Sequence, residues 1–150
     1  MLKSIKELFQ NNISHQKPSE QDLKLAAATL MFELIRSDGH IDSTELTAMK
    51  SILQDEFGLN SNEVEQLLSL AETSAEDAIS LQGFTRRICD NWNNDKRMKL
   101  LEYLWILAMA DDQIDQHERH LVRKLAGLLY LNDKEIIIAK ENAKNQLVSN

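Results

Sequence analysis

Turn-forming residues are scarce in this chain, with four glycines and one proline in 150 residues. Sheets joined by tight turns need many more of them, whereas helices need few. Aromatic and β-branched residues nowhere alternate at period two for long, so strands are not expected. Cysteine is nearly absent too. Cys89 stands alone, which excludes a disulfide and a cysteine metal site; beside the apolar positions of "FTRRICDNW" it reads as a small packing residue. No apolar run reaches the ~18 residues of a membrane span. Lys3, Lys6 and Glu7 interrupt the beginning of the chain, where a secretory signal would be unbroken. The cytoplasm is the default compartment. Positive charge is in the minority, 17 Lys and Arg against 24 Asp and Glu, for a net charge of −7. Nucleic-acid binding needs a clustered basic face, so that class is set aside. The basic stretches Arg86–Arg87, Lys96–Lys99 and Arg119–Lys124 are interrupted and read as solvated helix faces.

What is abundant is Leu, Ala, Glu, Lys and Gln, the residues of helices. The length suits one domain able to bury a core. The expectation is an all-α, compact bundle of about seven to eight helices. Residues 1–18 form an amphipathic helix, with Leu2, Ile5, Leu8 and Phe9 on one face, and a polar linker. A helical domain covers 19–145, and 146–150 is a frayed tail. Helix starts are legible as an Asx or Ser cap with an acidic residue three positions on. Ser19 with Asp22, Asp42 with Glu45, Asn60 or Ser61 with Glu63, Ser74 with Asp77, Asn94 or Asp95, Asp115 with Glu118, and Asn132 with Glu135 mark them. The helix from Ser61 is expected to end near Glu72, with a separate one beginning at Ser74.

Two of these helices, "LKLAAATLMFELI" and "MKLLEYLWILAMA", are apolar on nearly every side. A helix of that kind belongs in the interior. Each leads into a similar acidic turn. Asp38 and Asp111, Ile41 and Ile114, Asp42 and Asp115, and Glu45 and Glu118 all lie 73 apart. Leu59, Asn60, Glu63 and Val64 match Leu131, Asn132, Glu135 and Ile136 at 72, so one residue is lost before Gly58 or Tyr130. This implies an internal repeat about a pseudo-twofold axis.

The turns look like the outgoing half of a calcium loop. The positions of the first and third ligands, however, would be Leu34 and Arg36 in one turn and Leu107 and Met109 in the other. Both fall in a buried helix, which excludes an EF-hand. Asp42 with Glu45, and Asp115 with Glu118, are accounted for as capping boxes worth ~1 kcal/mol. Asp38 and Asp111 are not, because they sit at a helix C-terminus, where the dipole disfavours negative charge. A cation, Arg36 or a turn hydrogen bond from the Asp side chain could compensate them.

The doubled pattern "SDGHIDSTE" and "ADDQIDQHE", each between an apolar helix and a second helix, resembles the TerB-like family over about residues 20–145. This is the tellurite-resistance B group, whose fold is also the N-terminal region of membrane-anchored J-domain co-chaperones. The typical unit reads A-D-G-x-I-D-x-x-E. Ser37 stands for its Ala in the first turn and Asp112 for its Gly in the second. Glycine accepts a left-handed turn more easily than Asp does. The resemblance implies a non-enzymatic stress-response module acting with protein partners, membrane-associated ones among them. It also implies a metal-binding role that would fall on Asp38, Asp42, Glu45, Asp111, Asp115 and Glu118, with Ca, Mg, Mn or Zn as the candidate ion. Tellurite itself is an oxyanion that an acidic site would repel.

Two other readings stay open. A metal-free helical adaptor would use the acidic surface or the N-terminal helix. A metal-dependent hydrolase would need histidines, and His117 and His120 miss the zinc-protease spacing of i and i+4. They read as surface residues, although His40 and His117 lie close enough to the acidic turns to leave a mixed nitrogen–oxygen site open.

Overall fold

Ser19 begins the first helix by the reciprocal bonding its sequence predicts. Its hydroxyl accepts from the Asp22 N–H at 3.1 Å, and the Asp22 carboxylate accepts from the Ser19 N–H at 2.9 Å. The computed structural model describes residues 18–37, 39, 41–77, 80–111 and 114–149. The expected N-terminal helix, with Leu2, Ile5, Leu8 and Phe9, lies outside the described residues. Among those described there are seven helices and no strand: α1 (Glu20–Ile35), α2 (Ser43–Asp55), α3 (Ser61–Asp77), α4 (Gln82–Asn91), α5 (Asn94–Ala108), α6 (Gln116–Leu128) and α7 (Asp133–Ser149).

The two apolar helices are the interior. Every residue from Leu25 to Phe32 in α1, and from Leu100 to Trp105 in α5, is buried. Two polar members of these stretches are satisfied locally, while the buried Trp105 indole N–H has no hydrogen-bond partner among the described residues. Thr29 donates to the Leu25 carbonyl at 2.8 Å, and Glu102 meets the Lys99 ammonium at 3.2 Å. α1 packs most heavily on α3 and α5 most heavily on α7, and α1 and α5 touch each other. The remaining partners are exchanged: α2 also lies on α5, and α6 also lies on α1.

Three boundaries differ from expectation. α5 is capped by Asn93, whose side chain accepts from the Lys96 N–H at 2.9 Å, and not by Asn94 or Asp95. α3 runs unbroken from Ser61 to Asp77, so Ser74 begins no helix; it is a buried residue within one. No glycine or proline interrupts that stretch, and helix continuation makes the backbone bonds a cap would otherwise supply. Likewise α7 continues past Gln146, where the tail was placed, as far as Ser149.

Equivalent positions in the two halves take the same backbone shapes. Arg36 and Met109, which end α1 and α5, have φ, ψ of −106°, 8° and −103°, 4°. The caps Asp42 and Asp115 have −77°, 137° and −65°, 142°. Asn60 and Glu63, and Asn132 and Glu135, form two reciprocal capping boxes with every bond at 2.8–2.9 Å. The two turns that follow α2 and α6 differ in length by one residue. The Leu59 N–H reaches back to Leu53, while the Leu131 N–H reaches only to Ala126. Both turns pivot on a left-handed residue, Gly58 at φ 69° and Tyr130 at φ 58°. Tyr130 carries the strain that Gly58 avoids, roughly 1–2 kcal/mol. Around it the Leu129 carbonyl accepts from Arg97 at 2.7 Å, and the Leu128 carbonyl from the Cys89 thiol at 3.5 Å. Cys89 is thus a packing residue at the core edge, and burial raises its thiol pKa.

A side chain added at Gly58 would meet no atom within 4 Å. Gly58→Ala is therefore expected to destabilise the fold through backbone conformation alone, by about 1 kcal/mol. Tyr130→Gly at the counterpart should cost far less, because relief of strain offsets the added chain entropy. Denaturant unfolding of both variants measures the difference.

Candidate functional site: a buried carboxylate pair

Asp42 and Asp115 act as expected at the heads of α2 and α6. The Asp42 carboxylate accepts from the Thr44 N–H at 2.7 Å and from that of Glu45 at 3.4 Å. The Asp115 carboxylate accepts from the His117 N–H at 2.7 Å. Their expected partners do something else. Glu45 and Glu118 are each only 3% exposed, and a hydrogen bond joins their carboxyl groups. The exchange of partners between α1 and α5 is what allows this meeting, since α2 and α6 come from opposite halves of the chain.

Each glutamate belongs to the apolar stripe of its helix. Glu45 is followed on that stripe by Met49, Ile52 and Leu53; Glu118 is followed by Val122, Leu125 and Ala126. These are the i+4, i+7 and i+8 positions in both helices, the spacing of a core-facing side. A glutamate there is carried inward with its neighbours.

Two carboxylates in an apolar interior cannot both ionise cheaply. Burial pushes the Glu118 carboxyl up to about 9. The hydrogen bond and charge of Glu45 add to that effect, and the charges of Asp111 and Asp115 follow. The Glu118 carboxyl therefore keeps its proton at neutral pH. The second Glu118 oxygen, Oε2, is buried and has no hydrogen-bond partner among the described residues. An orphaned carboxylate oxygen in the interior is costly and usually signals a bound partner or a chemical role.

Of the six candidate ligands, the structure thus brings Glu45 and Glu118 together in the interior. Asp111 and Asp115 lie within electrostatic reach of Glu118, Asp111 being exposed and Asp115 half-buried. Asp42 is half-buried at the head of α2. Asp38 lies outside the described residues, as do His40 and Asp112. Arg36, a candidate to compensate Asp38, is occupied elsewhere: its guanidinium binds the Glu33 carboxylate at 2.9 Å and the Ala75 carbonyl at 2.9 Å. His117 and His120 are exposed. Among the described residues no group of three or more His, Cys, Asp and Glu side chains is arranged to hold a metal ion. The capping boxes expected of the two glutamates do not form, because those side chains turn inward to each other.

Five helices wrapped on two buried ones, with two acidic turns leading to a carboxylate pair, define a class of small all-helical acidic modules. The family profile described as "Tellurite resistance protein TerB" matches residues 24–141. The chain belongs to the TerB family. No curated protein matches it, and no solved structure does.

The proton gives a measurable pH signature. In the unfolded chain Glu118 ionises near its ordinary value of 4.5, but in the folded chain only at about 9. Between those limits the folded state binds more protons, so this group's contribution to stability falls as pH rises. Glu118→Gln keeps a donor to Glu45 and never ionises. Its melting temperature should exceed that of the parent by a few degrees at pH 8 and approach the parent's at pH 5. Thermal unfolding across that range checks this; a difference independent of pH would contradict the shared proton.

Proposed function

We propose that the protein is a non-enzymatic stress-response module of the tellurite-resistance type, whose paired acidic turns bind a divalent cation. The observation that carries this reading is the interior meeting of Glu45 and Glu118, with one Glu118 oxygen unpartnered. Two buried carboxylates at one point cost stability unless a proton or a cation neutralises them. A cation taking the proton's place would be held by Glu45 and Glu118. Asp111 and Asp115, with Asp42 and with Asp38 outside the described residues, would be the candidates for further oxygens. An all-oxygen set favours a hard ion, Ca²⁺, Mg²⁺ or Mn²⁺, over Zn²⁺. Bound there, the ion would draw the two halves together at α2 and α6 and change the surface offered to a protein partner in the cytoplasm.

The rival reading is a metal-free adaptor in which the proton is the permanent occupant. The contact between the two carboxyl groups, already neutralised by a proton on Glu118, is the observation that favours it.

Calorimetric titration with Ca²⁺, Mg²⁺, Mn²⁺ and Zn²⁺ separates the two. If a cation replaces the proton, binding releases protons and tightens as pH rises from 6 to 9, approaching tenfold per pH unit while Glu118 is protonated. Glu118→Gln and Glu45→Gln should each weaken it by about tenfold or more. No heat into the millimolar range for any of the four ions, or binding untouched by both substitutions, leaves the adaptor standing.

A further inference from the structure

Two residues of the basic stretch Arg119–Lys124 lie near two lysines of the last helix. Arg119 and Arg123 lie four apart on α6, and Lys140 and Lys144 four apart on α7, so each pair shares a helix face. The Lys140 ammonium sits 5.1 Å from the centroid of the buried Trp105 ring. From there it lies within electrostatic reach of Arg119, Arg123 and Lys144, with Glu141 as the opposing carboxylate. Burial first, and then those three cations, hold its pKa below the usual lysine value. Glu141 also stands 3.8 Å from Lys144. On a chain of net charge −7, four cations against one anion form a local reversal of sign. Like charges side by side oppose folding, so packing gives no reason for the cluster.

The same face of α7 bears aliphatic residues turned to solvent. Ile137 is 62% exposed and Val148 87%, while Ala139 and Ala143 on the opposite side are buried. Ile137, Lys140, Lys144 and Val148 follow one another at spacings of three, four and four, which makes a single stripe. Tyr130, 77% exposed, stands just before the head of the helix.

We propose that this stripe docks on the surface of an anionic lipid bilayer. Arg119, Arg123, Lys140 and Lys144 would face the phosphate headgroups, and Ile137 and Val148 would enter the interface between headgroups and chains. The combination selects the occupant. A soluble phosphate would satisfy the cations and leave the aliphatic residues without a role, whereas a charged bilayer uses both. Among the described residues no helix is long and apolar enough to cross a membrane, so the contact is peripheral. Each basic residue near an anionic leaflet is worth about fivefold in affinity.

Co-sedimentation of the full chain with vesicles of phosphatidylcholine mixed with phosphatidylglycerol tests this, beside vesicles of phosphatidylcholine alone. Binding is expected on the anionic vesicles only, weakening as salt is raised. Arg123→Glu with Lys144→Glu, both at exposed positions, should reduce it by about tenfold or more. Ile137→Ser with Val148→Ser should reduce it at unchanged charge. Circular dichroism of each variant checks that the helices remain. Absence of binding to anionic vesicles would overturn the proposal. So would loss on Lys3→Glu with Lys6→Glu but not on the α7 substitutions, which would assign the contact to the N-terminal stretch. Abolition by inorganic phosphate at matched ionic strength would mean a free-anion site and would overturn it as well.

Discussion

Two helices that are apolar on every side impose one constraint from which the rest of this fold follows: neither can keep a face in water. α1 and α5 meet, and each still needs cover on its remaining sides. The amphipathic helices provide that cover, and their stripes decide how they lie. Because α2 reaches across to α5 and α6 to α1, the starts of both are brought towards the line where the two central helices pass. Whatever stands at the third helical position after each cap is then buried opposite its counterpart. In this chain that position is glutamate twice.

The helices were legible in the sequence because their starts are chemical. Ser19, Asp42, Asn60, Asp115 and Asn132 all cap as their side chains suggest, and capping is decided within four residues. Ser74 shows the limit of that rule. The same Ser-to-Asp spacing carries no information when the residues before it are already helical and one face is being buried by neighbours distant in sequence. The fate of Glu45 and Glu118 was less legible for a related reason. Acidic residues three positions after a cap satisfy a local rule, and the local rule holds at Glu63 and Glu135 in this same chain. What distinguishes Glu45 and Glu118 is the pattern that follows them, apolar residues at the fourth, seventh and eighth places. At both sites the core outweighed the cap. That the two would meet each other required knowing that α2 and α6 change partners, which no window of sequence contains.

The pair also shifts attention within the acidic turns. Asp38 and Asp111 stood out because the helix dipole opposes them. In the folded chain Glu118 carries a cost of its own, in which desolvation outweighs every neighbouring charge. Asp111 and Asp115 contribute by keeping the region negative around a carboxyl that the interior keeps neutral.

The exchange of α2 and α6 between the central helices also bears on how the chain comes apart. α1 is covered partly by α6, and α5 partly by α2. Separating residues 20–77 from residues 94–149 would strip each buried helix of a wall that the other half supplies. Melting either half therefore uncovers part of the other, which couples the two in unfolding although the heaviest packing lies within each half.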